Sequence, residues 1–169
     1  MFSLDWGAFR CPVLLRAPRH LINLWPPFLF NSIRVRSIAP DWSEAHVVLR
    51  LRPWNRNYVR TQFGGNLFAM SDPFWMLLAM HRLGRDYIVW DKAGAIDFVA
   101  PGREDVHAVF RMPDEAVAAM RADAAGGGKV LRWFEADITT FGGEVIARVR
   151  KQLYVRLKPA LRDRDDAAD

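Results

Sequence analysis

The spacing of apolar residues along this chain changes several times, and each change predicts an element. Between positions 33 and 38 apolar residues alternate with Arg34 and Arg36, the period of a half-buried strand. A turn at 40–43 follows, and His46, Val48 and residues 49–51, with Arg50 and Arg52, predict the return strand of a hairpin closed by Pro53. Upstream, residues 8–24 space their apolar positions by threes and fours around Arg10, Arg16, Arg19 and His20, which predicts an amphipathic helix broken at Pro12 and Pro18. Pro26 and Pro27 are then expected to stop any helix.

Residues 67–83 follow a different rule, with Leu67, Phe68, Met70, Phe74, Trp75, Met76, Leu77, Leu78 and Met80 placing apolar groups on every side. A helix of that kind must be wrapped by other structure. It follows Gly64 and Gly65 and ends at Gly84, with His81 and Arg82 in the last turn, where cations suit the helix dipole. Residues 87–98, 106–112, 129–140 and 144–157 are rich in branched and aromatic side chains and predict four strands. Pro101 and Gly102 separate the first pair, and Gly142 with Gly143 predicts a hairpin turn in the last. A short helix over 113–125, with Pro113 in its first turn, is inserted between strands. The order is α+β, an antiparallel sheet of about five or six strands curled around one central helix. The expected layout is an N-terminal helical segment over 1–30, one domain over 31–158 and a frayed tail over 159–169.

Composition narrows this picture. At 169 residues and 51% hydrophobic, the chain supports one core. The single cysteine, Cys11, excludes an internal disulfide and a thiolate zinc cluster, which fits a reducing cytoplasm and a packed or idle thiol. Residues 21–30 are interrupted by Asn23, Pro26 and Pro27 and are too short to span a bilayer. Asp5 and Arg10 interrupt the start in a way unlike a secretory signal, so a cytoplasmic location is expected. A net charge of +5 would attract nucleic acid, an anionic membrane or a phosphorylated ligand such as coenzyme A. The densest basic group, Arg148, Arg150, Lys151 and Arg156, mixes both parities of one alternating segment and reads as a solvated face, and no nucleic-acid-binding pattern accompanies it. His20, His46, His81 and His107 share no spacing with carboxylates, so no metal site is expected.

The run from Phe63 through Gly64, Gly65, Asn66, Leu67, Phe68, Ala69, Met70 and Ser71 to Asp72 resembles the hotdog-fold acyl-CoA thioesterases, most closely their phenylacetate-pathway branch. In that branch the run opens His-Gly-Gly and ends in an aspartate on the central helix. A weaker similarity covers Ala95, Ile96, Asp97, Phe98, Val99, Ala100, Pro101 and Gly102, like that family's strand running into a proline turn. The resemblance extends over about residues 33–157, and its specific part is the glycine pair and the aspartate. It implies a hotdog fold, an acyl-CoA or related thioester as substrate, no cofactor, and an acyl tunnel between subunits of a homodimer or a dimer of dimers.

The residues themselves support that chemistry. Free N–H groups at a helix start favour developing negative charge, which makes Gly64 and Gly65 an oxyanion hole in outline. Asp72 would attack the thioester carbonyl itself or draw a proton from water. Gly65 and Asp72 are seven positions apart, about two helical turns and roughly 10 Å of rise, so one thioester carbon cannot meet both within a chain. Two such helices packed antiparallel across a two-fold axis bring Asp72 of one subunit to the glycines of its partner.

Two departures qualify the transfer. Phe63 stands where the branch has histidine. Pro73 after Asp72 either bends the helix or starts a new one, with Asp72 as its N-cap and Pro73 in its first turn. Asn57, Thr61, Gln62 and Asn66 are candidates to hold the carbonyl or a water in place of the histidine, or else form turns and caps. Phe63, Phe68 and Trp75 are assigned to the acyl site, and Phe74, Trp75 and Met76 read equally as core. Arg103, Lys129 and Arg132 either meet coenzyme A phosphates or cap solvated strand ends, and Asp91 with Lys92 reads as a surface pair. Three functions follow: thioester hydrolysis, non-catalytic acyl or acyl-CoA binding, and, last, dehydratase or hydratase action, which needs a histidine at the helix entrance.

Overall fold

The computed structural model describes residues 19–158. Two short helices, α1 (Arg19–Leu24) and α2 (Pro26–Asn31), precede the hairpin of β1 (Ile33–Ile38) and β2 (Glu44–Leu49). Then come α3 (Gly64–Ala69), α4 (Phe74–Leu83), β3 (Tyr87–Phe98), β4 (Val106–Arg111), α5 (Asp114–Ala124), β5 (Val130–Thr140) and β6 (Val145–Leu157). The six strands form one sheet in the order β1-β2-β4-β5-β6-β3, and every pairing is antiparallel. β5 and β6 join through Gly143, whose φ of 91° is a left-handed conformation that glycine adopts without cost. β4 and β5 pair only at Val106↔Thr140 and His107↔Thr139.

The sheet's covered face follows strand alternation. Ala45, Val47 and Leu49 of β2, Val106, Ala108 and Phe110 of β4, and Val149, Leu153 and Val155 of β6 are all buried. Against them α4 packs Phe74, Trp75, Leu77, Leu78, Ala79 and Leu83. Phe74 stacks on Phe110 at 5.1 Å between ring centroids, and Trp75 meets the same ring edge-on at 4.9 Å. Full burial of each such Phe or Leu side chain contributes about 1.5–3 kcal/mol. The α+β hotdog architecture expected from the sequence is present.

Two details differ from expectation. α1 ends at Leu24, ahead of Pro26 and Pro27 as expected, but the two prolines also begin α2, because the first turn needs neither of the N–H groups that proline lacks. The helix expected over residues 8–24 is present at Arg19–Leu24; the rest of that segment, Cys11 and the tail from 159 lie outside the described residues. The central helix is not continuous. Residues 70–73 form a tight turn in which Ser71 N–H donates to Phe68 O (3.0 Å) and Asp72 N–H to Ala69 O (3.2 Å). Pro73 has no N–H to continue the ladder, and α4 restarts from Pro73 O, which accepts from Leu77 N–H at 2.9 Å. Pro73 itself is the N-cap, with no side-chain cap bond, so Asp72 does not cap α4.

Candidate functional site

The turn between α3 and α4 holds Asp72 with its side chain 56% exposed, and what it contacts comes from the sheet. Lys151 of β6 donates from Nζ to Asp72 Oδ1 at 2.6 Å and to Asp91 Oδ2 at 2.9 Å. The Lys151 side chain is only 5% exposed, and the Phe68 ring centroid lies 5.3 Å from its ammonium. Two features of β3 make room for this. A register shift between Asp91 and Ala93 interrupts its pairing with β6 beside Asp91, and Gly94 pairs directly with Lys151. A Cβ on Gly94 would sit 2.7 Å from Phe68 Cζ and 3.1 Å from Lys151 Cδ, so only glycine fits without displacement.

Electrostatics follow from burial. Burial raises the Asp91 carboxyl above the ordinary carboxylate value, and hydrogen bonding and attraction from Lys151 offset this only in part. Asp91 Oδ1 is buried without a hydrogen-bond partner among the described residues. For Lys151, burial opposes the charge, yet Asp72 and Asp91 together outweigh it and the ammonium is held above the ordinary lysine value. Asp72 thus has one oxygen anchored and a side chain that still reaches solvent.

The glycines lie at the far end of α3, whose six residues span about 9 Å. Phe63 O accepts from Asn66 N–H (2.9 Å) and Leu67 N–H (3.1 Å), so the N–H groups of Gly64 and Gly65 precede the first intrahelical bond. Gly64 lines a cleft of about 440 Å³ together with Asn57, Thr61, Gln62, Phe98 and Gly102. A Cβ on Gly64 would stand 2.8 Å from Phe98 Cζ. Gln62 is buried and donates from Nε2 to Glu104 O at 3.0 Å, while its Oε1 has no partner among the described residues.

Other sequence candidates occupy structural positions. Asn57 Oδ1 accepts from Thr61 N–H (2.9 Å) and Val59 N–H (3.1 Å), and Nδ2 donates to Thr61 Oγ1 (2.8 Å), so it organises the loop beside the cleft. Asn66 is buried and donates to Asn55 O at 3.2 Å. Trp75 is 1% exposed in the core and donates from Nε1 to Arg111 O. Phe63 is 51% exposed at the N-cap of α3. Arg103 and Lys129 are exposed, Arg132 is half-buried on β5, and none of the three forms an ion pair among the described residues. His46 and His107 face each other at 3.2 Å, and His81 stacks on Trp42. No group of three metal-ligating side chains occurs among the described residues, and no helix there is long and apolar enough to cross a membrane.

Asp91 is not part of a surface pair with Lys92, since it turns inward to Lys151. Lys151 does not belong to a solvated basic face. The signal was available in the parity of β6, where Lys151 shares its face with Val149, Leu153 and Val155, whereas Arg148, Arg150 and Arg156 fall on the other.

The fold recurs in solved structures. A Pseudomonas aeruginosa protein of unknown function, named a probable thioesterase, superposes with a TM-score of 0.74 at 20% identity, covering 83% of this chain and 93% of that one. A Chlorobaculum tepidum protein of unknown function matches with a TM-score of 0.66 at 17% identity, covering 83% and 92%. A Haemophilus influenzae thioesterase matches at 0.61 and 12% identity, covering 81% and 87%. These neighbours establish the hotdog fold, without distinguishing a phenylacetate-pathway branch within it. No curated protein matches the sequence. A family model described as a domain of unknown function, DUF4442, matches residues 17–155, and the chain belongs to that family.

Proposed function

We propose that this protein hydrolyses an acyl thioester, an acyl-CoA in particular, with Asp72 as general base or nucleophile and the N–H groups of Gly64 and Gly65 as oxyanion donors. The observation that carries this reading is the Asp72 carboxylate, anchored through Oδ1 yet 56% exposed. A carboxylate held in this way can accept a proton from water or attack a carbonyl carbon. One well-aimed oxyanion donor is worth on the order of a hundredfold to a thousandfold in rate. Because the glycines and Asp72 lie at opposite ends of α3, the reading requires a second copy of the chain. β3, twelve residues long, is an edge strand of the sheet among the described residues, and with exposed Phe98, Val99 and Phe63 it supports a homodimer or a dimer of dimers.

Exposed Phe63 at the helix entrance, where the resembling branch has histidine, favours a second reading, an acyl-binding protein without turnover. A panel of short, medium, long and aromatic acyl-CoAs separates the two when thiol release and calorimetric binding are measured together. Release above the uncatalysed background supports hydrolysis. Saturable binding with no release supports the second reading, and neither binding nor release rejects both.

A further inference from the structure

We infer that Lys151 is a positioning residue for Asp72, clamped between that carboxylate and Asp91 so that one oxygen of Asp72 is fixed and the other is left to work. The inference rests on the hydrolysis reading above. A buried ammonium costs several kcal/mol in desolvation and persists only where its partners are well placed. Lys151 occupies a β6 position whose neighbours on the same face, Val149, Leu153 and Val155, are fully buried, and its compensation is the carboxylate pair at 2.6 and 2.9 Å. The surrounding chain is shaped to admit it. Gly94 opposite clears the path of its stem, and the interrupted β3 register beside Asp91 accompanies the inward turn of that carboxylate.

Asp72 needs this contact because its own backbone does not orient it. It lies in a turn, outside both helices, and its half-exposed carboxylate has no other hydrogen bond among the described residues. Without the ammonium its two side-chain torsions are free. With it, Oδ1 is pinned and Oδ2 has a defined direction. Asp91 also accepts from Nζ, at 2.9 Å, and holds the lysine back from following Asp72 into solvent.

The test is thiol release by native protein, Lys151→Met, Lys151→Arg, Asp91→Asn, Asp72→Asn and the Asp72→Asn/Lys151→Met double variant, each checked for folding. Lys151→Met is expected to lower kcat on the order of a hundredfold with KM little changed, the size of effect expected when a reacting group is misplaced by about 1 Å. Lys151→Arg, which keeps the charge and the donors, should recover part of it. In the Asp72→Asn background the lysine change should add nothing, since groups that act as one unit are not additive.

A folded Lys151→Met variant with native kcat, or a lysine effect that persists in full without Asp72, overturns the inference while leaving hydrolysis by Asp72 intact. Asp72→Asn at the native rate overturns the hydrolysis reading and the inference with it. A loss in Asp91→Asn as deep as in Asp72→Asn makes Asp91 the working carboxylate and also overturns it. If Lys151→Met does not fold, Lys151→Met/Asp91→Asn, which buries no unpaired charge, carries the same expectation.

Discussion

Removing the ammonium of Lys151 should cost stability as well as rate, and the structure sets the size and the pH dependence of that cost. Lys151→Met keeps most of the buried stem and deletes the charge. Asp72 is 56% exposed and can rehydrate, so its lost contact is worth about 0–1 kcal/mol. Asp91 is worse placed, because its side chain is 21% exposed, Oδ1 already lacks a partner among the described residues and Oδ2 loses its lysine. Stranding one member of a buried pair costs about 3–5 kcal/mol, and since Asp91 retains some contact with water, about 3 kcal/mol is expected near pH 8. In a domain of this size that lowers Tm by roughly 6–12 °C.

The deficit should shrink on acidification. Burial already raises Asp91 above the ordinary carboxylate value, and Lys151 opposes that shift. Without the lysine the folded value rises further. A carboxyl raised in the folded state contributes most below its unfolded value and loses that contribution as pH climbs through the folded one, so the variant recovers as Asp91 takes a proton. Urea unfolding of both proteins at about pH 8 and about pH 5, at one protein concentration, measures this. A deficit below about 1 kcal/mol at the higher pH, or one equal at both, rules out a stranded Asp91 carboxylate as its source.

Other outcomes follow from the same contacts. Gly94→Val should destabilise by about 1–3 kcal/mol through overpacking against Phe68 and the Lys151 stem, whereas Gly126→Ala, with nothing within 4 Å of the new Cβ, should be near neutral in the same thermal melts. Gly64→Ala should fold, because the ring it meets belongs to Phe98, which is 60% exposed and can swing aside. Its thiol-release rate should nevertheless fall as the cleft beside the oxyanion donors narrows. Lys151, raised by its two carboxylates against the opposing effect of burial, contributes stability below the ordinary lysine value of 10.5 that is lost as pH rises through the folded value. Alkaline unfolding should therefore shift in Lys151→Met. His46 is lowered by burial and by His107, with Arg36 acting in the same direction and Glu44 against it. Stability should then fall as pH drops through about 6.5, and His46→Gln should flatten that slope in acid titrations followed by circular dichroism.

The strands and the buried helix were legible because their cause is local. Alternation at Ile33–Ile38 and the apolar run over 74–80 report burial through periodicity, and the Gly142–Gly143 pair reports a turn through the positive φ that glycine permits. The break at residues 70–73 was visible as Pro73 and ambiguous, since the same proline serves a bend or a helix start. What decided it was tertiary. The carboxylate of Asp72 went to Lys151, 79 positions away, and not to the N–H groups of α4. Lys151 and Asp91 were missed for a related reason. A lone charge on the apolar face of a strand reads as one more member of a basic run until its parity is compared with Val149, Leu153 and Val155, and its partner Asp91 is set beside a register shift that no local pattern announces.

If Asp72 carries thioester hydrolysis, kcat/KM for thiol release from the best acyl-CoA substrate should fall on the order of a thousandfold or more in a folded Asp72→Asn variant, the scale on which loss of a general base or nucleophile is felt. An Asp72→Asn protein that folds and releases thiol at the native rate rules out that role for Asp72.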